Sequence, residues 1–337
     1  MAQKPNAVWL SGDGNRQIAR VYAPSVQAKI KDLTEVYPVY LNPANLAEHE
    51  TAAAKAVYGF ATWGMPVFSE DEIRRYFPNL KVVLYAAGSV QAFARPFLNS
   101  SIQVCSAAPA NGVPVAEYTL AQILLANKGY FPNARLAQKD TAKARLGNQA
   151  FPGNYQVKVG LLGAGVIGRK VIELLKPFML EVLVFDPFLP DDRACELGVT
   201  KASLETIFST CQTISNHLAN LPATRGILNK SHFSRMLPNA TFINTGRGAQ
   251  VIEADLIEAL RQEPSRTAVL DVTDPEPPLP DSPLRQLDNV VLTTHIAGSM
   301  GQEVMRMAEY MLDELQRAER GEPLRYAVTL KMLETMA

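Results

Sequence analysis

The sequence predicts a doubly wound α/β fold: a Rossmann-type parallel-sheet domain joined to a smaller, flavodoxin-like α/β domain. Three observations carry this reading. From residue 157 onward, short unbroken apolar runs alternate with helical segments, the pattern of parallel strands buried on both faces. The first hundred residues repeat the rhythm at lower contrast. At 337 residues, the chain also exceeds the usual size of a single hydrophobic core.

In chain order, strands are expected at "AVWL", "VYPVYL", "YGFAT" and "KVVLYAA". Between the last two, Ser69 and Glu72 form a capping-box pattern that starts a helix ending before Pro78. "VAEYTLAQILLANKGYF" reads as a long helix with Leu120, Ile123, Leu124 and Leu125 near its apolar face, followed by a linker, "RLAQKDTAKARLGNQAFPGNYQ". "VKVGLLG" leads to a helix from about Gly165 to Phe178, then "EVLVF", a helix near Asp191 to Leu197 and another near Ser203 to Cys211. "TISNHL", a helix across "NKSHFSRML", "ATFIN", the helix "EADLIEALRQ", "TAVLDV" and "NVVLTTH" complete the alternation. A last helix opens with Ser299 and Gln302 as a second capping box. It lines up Val304, Ala308, Met311 and Leu315, and stops at Gly321 and Pro323. Its methionines, Met300, Met305, Met307 and Met311, read as packing. The smaller domain is therefore expected to draw on both chain ends: 1–112 and 297–337, around a nucleotide-type domain over 113–296.

Acidic and basic side chains balance at 33 each, so no charge field attracts nucleic acid or an anionic membrane. "MAQKPNAVWLSGDG" has no basic stretch followed by a long apolar run, and no apolar segment approaches membrane-span length; a cytoplasmic location is the expectation. Cys105, Cys195 and Cys211 are too scattered for a disulfide framework or a zinc site and read as small core residues; no metal is expected.

"GLLGAGVIGRK" places Gly163, Gly165 and Gly168 in the G-x-G-x-x-G order, after an apolar strand and opening a helix. The three glycines have separate roles. Gly163 makes the turn, Gly165 lets backbone approach a pyrophosphate, and Gly168 lets helix pack on strand. Free N–H groups around Val166 and Ile167 would face the diphosphate. The next strand ends in Asp186, 18 residues past Gly168, where an acceptor for ribose hydroxyls belongs. An aspartate there repels a 2′-phosphate, so NAD is the expected cofactor.

Three charged residues follow the later strands: Arg247 after "FIN", Glu276 in the proline loop after "VLDV", and His295 after "VVLTT". Ligands of open parallel sheets bind beyond the carboxyl ends of the strands, so all three stand where chemistry is expected. Taken singly they read as a solvated arginine, a surface acid and a strand-end histidine; it is their joint placement that points to a site.

These motifs resemble those of the D-isomer-specific 2-hydroxyacid dehydrogenases. The likeness runs through "NGVPVAEYTLA", "GLLGAGVIG", "NLPATRGILN", "FINTGRGAQVIEADLIEAL", "VLDVTDPEP" and "NVVLTTHIAG", with 29 residues from Arg247 to Glu276 and 19 from Glu276 to His295. The resemblance implies NAD-dependent interconversion of a D-2-hydroxy acid and its 2-oxo acid, with Arg247, Glu276 and His295 catalytic. His295 would supply the proton to the carbonyl oxygen, Glu276 would orient the imidazole and favour imidazolium, and Arg247 would bind the carboxylate and carbonyl. The glycines beside Arg247 would let backbone come close to cofactor and substrate. By the same resemblance His217, Leu218, Thr224, Thr245 and Gly246 line the cofactor, Asp271 meets the nicotinamide amide, and backbone at Ala87, Gly88 and Ser89, with Asn111, meets the acid. It also implies a homodimer formed through the NAD-binding domain.

The sequence departs from the family pattern at several points. Ala86 stands where the family often has an arginine, Val90 replaces a glycine, Ala219 replaces a common proline, and the linker lacks a tryptophan. The first departure argues against a phosphorylated substrate. Glu276, where formate dehydrogenases carry glutamine, argues against formate. An NAD(H)-sensing regulator, similar to the family's co-repressors, is the alternative reading on the same scaffold.

Overall fold

Successive residues of the N-terminal strands point to opposite faces of a sheet covered on both sides. In the computed structural model, which describes residues 3–336, Val8 and Leu10 enter one apolar cluster while Ala7 and Trp9 enter the other. The chain divides into two compact units, Val113–Gly298 and a unit built from residues up to Gly112 together with those from Ser299.

The two-ended unit holds strands β1 (Asn6–Leu10), β2 (Glu35–Leu41), β3 (Tyr58–Ala61), β4 (Val82–Tyr85) and β5 (Gln103–Ser106). They run parallel in the order β2-β1-β3-β4-β5, the flavodoxin-like arrangement. A short strand near the C-terminus, Ala327–Val328, adds antiparallel to β5. The helix Glu303–Glu319 covers one face with Val304, Met307, Ala308, Met311, Leu312 and Leu315. Ser69 caps Glu70–Tyr76 in a full capping box, as the sequence leads one to expect.

The second unit holds β6 (Lys158–Leu162), β7 (Glu181–Phe185), β8 (Thr200–Lys201), β9 (Thr213–Asn216), β10 (Thr241–Asn244), β11 (Thr267–Leu270) and β12 (Val290–Leu292). All are parallel, in the order β8-β7-β6-β9-β10-β11-β12. This is the Rossmann order with one further strand, and its direction of winding reverses between β6 and β9. On β10, Phe242 and Ile243 enter the two opposite cores, which explains why both positions are apolar.

Several local expectations need correction. The final helix begins at Glu303 with Gln302 as N-cap and no side-chain cap; Ser299 is not its cap. Gly301 (φ 51°) lies in the left-handed region just before, which stops the helix from extending toward Ser299. Met300 therefore sits in the preceding loop and is exposed. The long helix runs Ala108–Asn127 instead of starting at Val115, because Ser106 Oγ accepts the Ala108 N–H at 3.1 Å and starts it upstream of Pro114. It ends before Gly129 (φ 67°), and part of the expected linker is helical, Tyr130–Lys139 and Thr141–Gly147. The former buries none of its residues, so no apolar stripe marks it in the sequence. Across "NKSHFSRML" only Lys230–Phe233 is helical. Cys105 and Cys211 are core residues, but Cys195 is exposed, because its helix buries only Ala194.

Candidate active site

The carboxyl ends of β6, β7, β9, β10, β11 and β12 deliver the candidate residues of the second unit to one edge of one sheet. After β6, Gly163 (φ 99°) makes the turn in a conformation that favours glycine, and its N–H donates to Phe185 O at 2.7 Å. A Cβ on Gly168 would lie 2.0 Å from Gly163 O, so the helix Val166–Leu175 can sit this close to the turn only with glycine there. At Gly165 a Cβ would meet nothing within 4 Å, which leaves open space beside the backbone. Gly165 is the N-cap and provides no side-chain cap, so the first N–H groups of the helix, at exposed Val166 and half-buried Ile167, remain available to an anion.

Asp186 follows β7. Its Oδ2 accepts the Ala164 N–H at 2.7 Å and its Oδ1 accepts the Phe188 N–H at 2.8 Å. The carboxylate thereby steadies the glycine turn, and each oxygen keeps an acceptor position. His217 follows β9 and is 9% exposed; its Nε2 pairs with Ser215 Oγ at 3.0 Å, whereas Nδ1 is buried without a partner. Burial pushes its pKa down to about 4, so the ring is neutral near pH 7. Leu218 is buried beside it, and Thr224 Oγ1 closes the next turn by donating to Ala219 O at 2.6 Å.

Beneath these loops lies a buried amide network that sequence patterns do not announce. Asn216 Nδ2 donates to Asn244 Oδ1 (3.0 Å) and to Gln250 Oε1 (2.6 Å), and Gln250 Nε2 donates to the carbonyls of Leu218 (2.7 Å) and Ala219 (2.9 Å). Asn244 Oδ1 also accepts the Gly246 N–H at 3.0 Å, and its amide donates to Arg247 O at 3.1 Å. The loop that carries Thr245, Gly246 and Arg247 is thus tied to the loop that carries His217 and Leu218.

Arg247 is half-buried, and its Nη1 donates to Gly246 O at 2.7 Å. Burial lowers its pKa, an effect opposed by the charge of Glu276. The glycine that follows serves a purpose other than the expected approach to a ligand. A Cβ on Gly248 would lie 2.0 Å from the carbonyl carbon of Thr273, so this glycine lets the loop after β11 pack against the Arg247 turn. That loop is held further by the Asp274 N–H donating to Glu253 Oε1 at 2.9 Å and by Thr273 Oγ1 donating to Pro275 O at 2.8 Å. Gly248→Ala is expected to destabilise the protein by about 1–3 kcal/mol, because backbone and not a pliable side chain must move. Denaturant unfolding of the variant is the check, and an unchanged midpoint would contradict this packing.

Glu276, at the tip of the same loop, meets His295. The His295 Nδ1–H donates to Glu276 Oε1 at 2.7 Å, with 46% and 40% of the two side chains exposed. An ionised carboxylate only accepts, so the proton of the neutral ring resides on Nδ1 and Nε2 is the unprotonated nitrogen. His295 has φ 59°, a left-handed conformation that is uncommon for a residue with a side chain. Asp271 is 2% exposed; its Oδ1 accepts from Thr293 Oγ1 (2.6 Å) and the Ile296 N–H (2.8 Å), and its Oδ2 accepts from the Ala297 N–H (2.9 Å).

The structure therefore joins Glu276 to His295 directly and sets Arg247 within electrostatic reach of Glu276 without an ion pair. In the other unit, the Ala87 N–H donates to Tyr85 O at 2.9 Å and is not free for a carboxylate as expected. Gly88 and Ser89 follow it, half-buried and exposed. Asn111 lies beside Gly88, its Nδ2 3.4 Å from where a Cβ of that glycine would stand, while its Oδ1 accepts the Ser299 N–H at 3.0 Å.

A glycine turn at the reversal of a doubly wound sheet, with an acidic residue after the second strand, defines a dinucleotide-binding domain. Residues 121–297 match the family described as D-isomer specific 2-hydroxyacid dehydrogenase, NAD binding domain. That stretch is more than half of the chain, and the chain belongs to the D-isomer specific 2-hydroxyacid dehydrogenase family. D-3-phosphoglycerate dehydrogenase of Archaeoglobus fulgidus is 31% identical over 268 residues, covering 79% of this chain and 50% of that protein. The Bacillus subtilis protein of the same name is 30% identical over 229 residues, 67% of this chain and 43% of that one. The chain thus spans half or less of the length of these relatives. A phosphoglycerate oxidoreductase from Rhizobium etli shares the fold with TM-score 0.80 at 24% identity, covering 96% of this chain and 98% of that one. D-mandelate dehydrogenase of Rhodotorula graminis also shares it, with TM-score 0.80 at 18% identity and 96% and 97% coverage.

Proposed function

We propose that this protein interconverts a small D-2-hydroxy acid and its 2-oxo acid with NAD(H), using Arg247, Glu276 and His295. The observation that carries the reading is the Nδ1–H···Oε1 bond of 2.7 Å between His295 and Glu276, at the same sheet edge as the glycine turn. NADH, when bound, supplies the hydride that reduces the substrate C2. In that direction His295 starts as imidazolium and gives its Nε2 proton to the carbonyl oxygen; in the reverse direction Nε2 takes the hydroxyl proton. Glu276 holds the ring in the required orientation and offsets the charge of the imidazolium. Arg247 offers two parallel N–H donors to the substrate carboxylate and carbonyl.

The residues fit a dinucleotide. Gly163, Gly165, Val166, Ile167 and Gly168 offer open space and uncapped N–H groups for the diphosphate, and Asp186 keeps acceptor positions for ribose hydroxyls. The buried, unpartnered Nδ1 of His217 supports a ligand against the loop it shares with Leu218 and Thr224. Thr245 and Gly246 complete the lining. In the two-ended unit, Gly88, Ser89 and Asn111 are the candidates for the acid. Buried Ala86 brings no cation to that loop, which favours an unphosphorylated substrate.

The test is a turnover screen of the purified chain with NADH and NADPH against glyoxylate, hydroxypyruvate, pyruvate, phenylpyruvate and a phosphorylated 2-oxo acid. Oxidation of NADH by an unphosphorylated acid, faster than that of NADPH, is the expected result. Tight NADH binding without turnover of any acid would overturn the reading. A homodimer through the NAD-binding domain belongs to the same proposal. Sedimentation as a monomer at micromolar concentration would remove that part.

A further inference from the structure

Gln250 is fully buried, and every hydrogen-bonding position of its side-chain amide is used. Its Nε2 donates to the carbonyls of Leu218 (2.7 Å) and Ala219 (2.9 Å), and its Oε1 accepts from Asn216 Nδ2 (2.6 Å) and from the Arg247 N–H (3.4 Å). One side chain therefore touches both the loop that carries His217 and Leu218 and the turn that carries Arg247. Neither has slack. A Cβ on Gly246 would lie 3.1 Å from both Asn216 Nδ2 and Gln250 Oε1. A Cβ on Gly163 would lie 2.7 Å from His217 O, so the anchored loop is also pressed against the glycine turn.

The anchor falls where the loop lacks another restraint. Ala219 stands at a position where the family commonly has a proline, whose ring fixes its own φ and keeps the residue before it extended. Alanine provides neither restraint. Its carbonyl instead receives the Gln250 amide, the Thr224 Oγ1 hydroxyl at 2.6 Å and the Leu221 N–H at 3.1 Å. A buried amide is costly unless its partners are all in place, so it also selects the one arrangement of both loops that satisfies it. We infer that Gln250 is a positioning residue of this site: its amide sets the His217–Ala219 loop and the Arg247 turn in one register, and at Ala219 it gives the restraint that a proline gives elsewhere in the family. The inference rests on the proposed roles of Arg247 and the cofactor loop. Its bonds, however, are all made by a side chain, so substitution removes them, and their loss is measurable without turnover.

Gln250→Met keeps the length and bulk of the side chain and removes its hydrogen bonds. Hydrogen exchange of the protein without ligands is the first readout. Amides of residues 217–224 and 245–248 should exchange faster, while those of β6 and β11 keep wild-type rates. An unchanged pattern, or a uniform rise across the whole unit of the kind lost stability alone produces, would overturn the inference. Adding Ala219→Pro should restore slow exchange in 217–224 and leave 245–248 fast, because proline replaces only one of the two restraints; no recovery in 217–224 would refute the equivalence. Binding and turnover give the second readout. In Gln250→Met the NADH Kd should rise about tenfold, the scale of one net hydrogen bond, and fall again with Ala219→Pro. At saturating NADH, kcat/KM for the acid should drop roughly 10²-fold, the penalty of a catalytic group misplaced by about 1 Å. An Arg247 already out of place has less to lose, so Arg247→Lys should cost less in the Gln250→Met background than in wild type. Equal costs would remove the link between Gln250 and Arg247. If the wild type binds NADH and turns over no acid, the proposed reaction fails, while exchange and Kd still decide the role of Gln250. Should Gln250→Met fail to fold, Asn216→Leu combined with it makes both ends of the pair apolar. Faster exchange confined to the two loops then supports the anchor, and wild-type exchange refutes it.

Discussion

His295→Asn is expected to lower kcat by about 10²–10⁴-fold, the usual contribution of a positioned general acid, while the NADH Kd stays close to wild type. Asparagine is the informative replacement because it tolerates the left-handed region better than most residues, so the backbone at φ 59° and the bonds to Asp271 are preserved. Its amide N–H₂ can still donate to Glu276, but nothing remains that exchanges a proton near neutral pH. The loss should thus fall on kcat and kcat/KM together, the signature of an interaction made only in the transition state. A rise in KM with kcat intact would assign His295 to substrate binding. Thermal unfolding near the wild-type midpoint would establish that the loss is chemical.

Much of the fold is legible because its signals are local. An apolar run such as "ATFIN" must be a strand buried on both faces, since Phe242 and Ile243 point to opposite cores and both are apolar. The same runs place Arg247, Glu276 and His295 at strand ends, because each strand of a parallel sheet must deliver its next loop to the same edge. What stays hidden depends on contacts distant in sequence. Asn216 and Gln250 are 34 residues apart, and their bond of 2.6 Å leaves no periodic trace, although it couples the two loops at the core of the site. Gly248 reads as room for backbone to approach cofactor and substrate beside an arginine, whereas its role is set by the backbone of Thr273 packed against it. The left-handed angle of His295 is equally silent, since nothing adjacent in sequence requires it and its N–H bonds the Asp271 carbonyl, at another strand end. The misplaced start of the last helix has a related origin: Ser299 and Gln302 have cap-like spacing, but Ser299 gives its N–H to Asn111 and its hydroxyl does not cap the helix.

Arg247→Lys should cost roughly 10²–10³-fold in kcat/KM, the scale of losing one well-placed donor at a developing negative charge, with NADH binding retained. The formal charge is the same, so the effect isolates geometry. A guanidinium presents parallel N–H groups in a rigid fork, and one of them is already committed to Gly246 O at 2.7 Å, which fixes the plane in which the others lie. An ammonium on a flexible stem reproduces neither the plane nor the second donor. Burial adds a dependence on pH. It lowers the pKa of Arg247, with Glu276 opposing, yet arginine begins so high that its charge is secure. Lysine ionises about two pH units below arginine in water, and the same burial disfavours its charged form as well. The variant should therefore lose further activity as pH rises through the alkaline range, where the wild-type arginine remains charged. Steady-state kinetics of both proteins from pH 7 to about 10 is the measurement, read as the ratio of their kcat/KM values. A ratio that is flat and close to unity would remove Arg247 from the substrate and leave it as a structural charge at the end of β10.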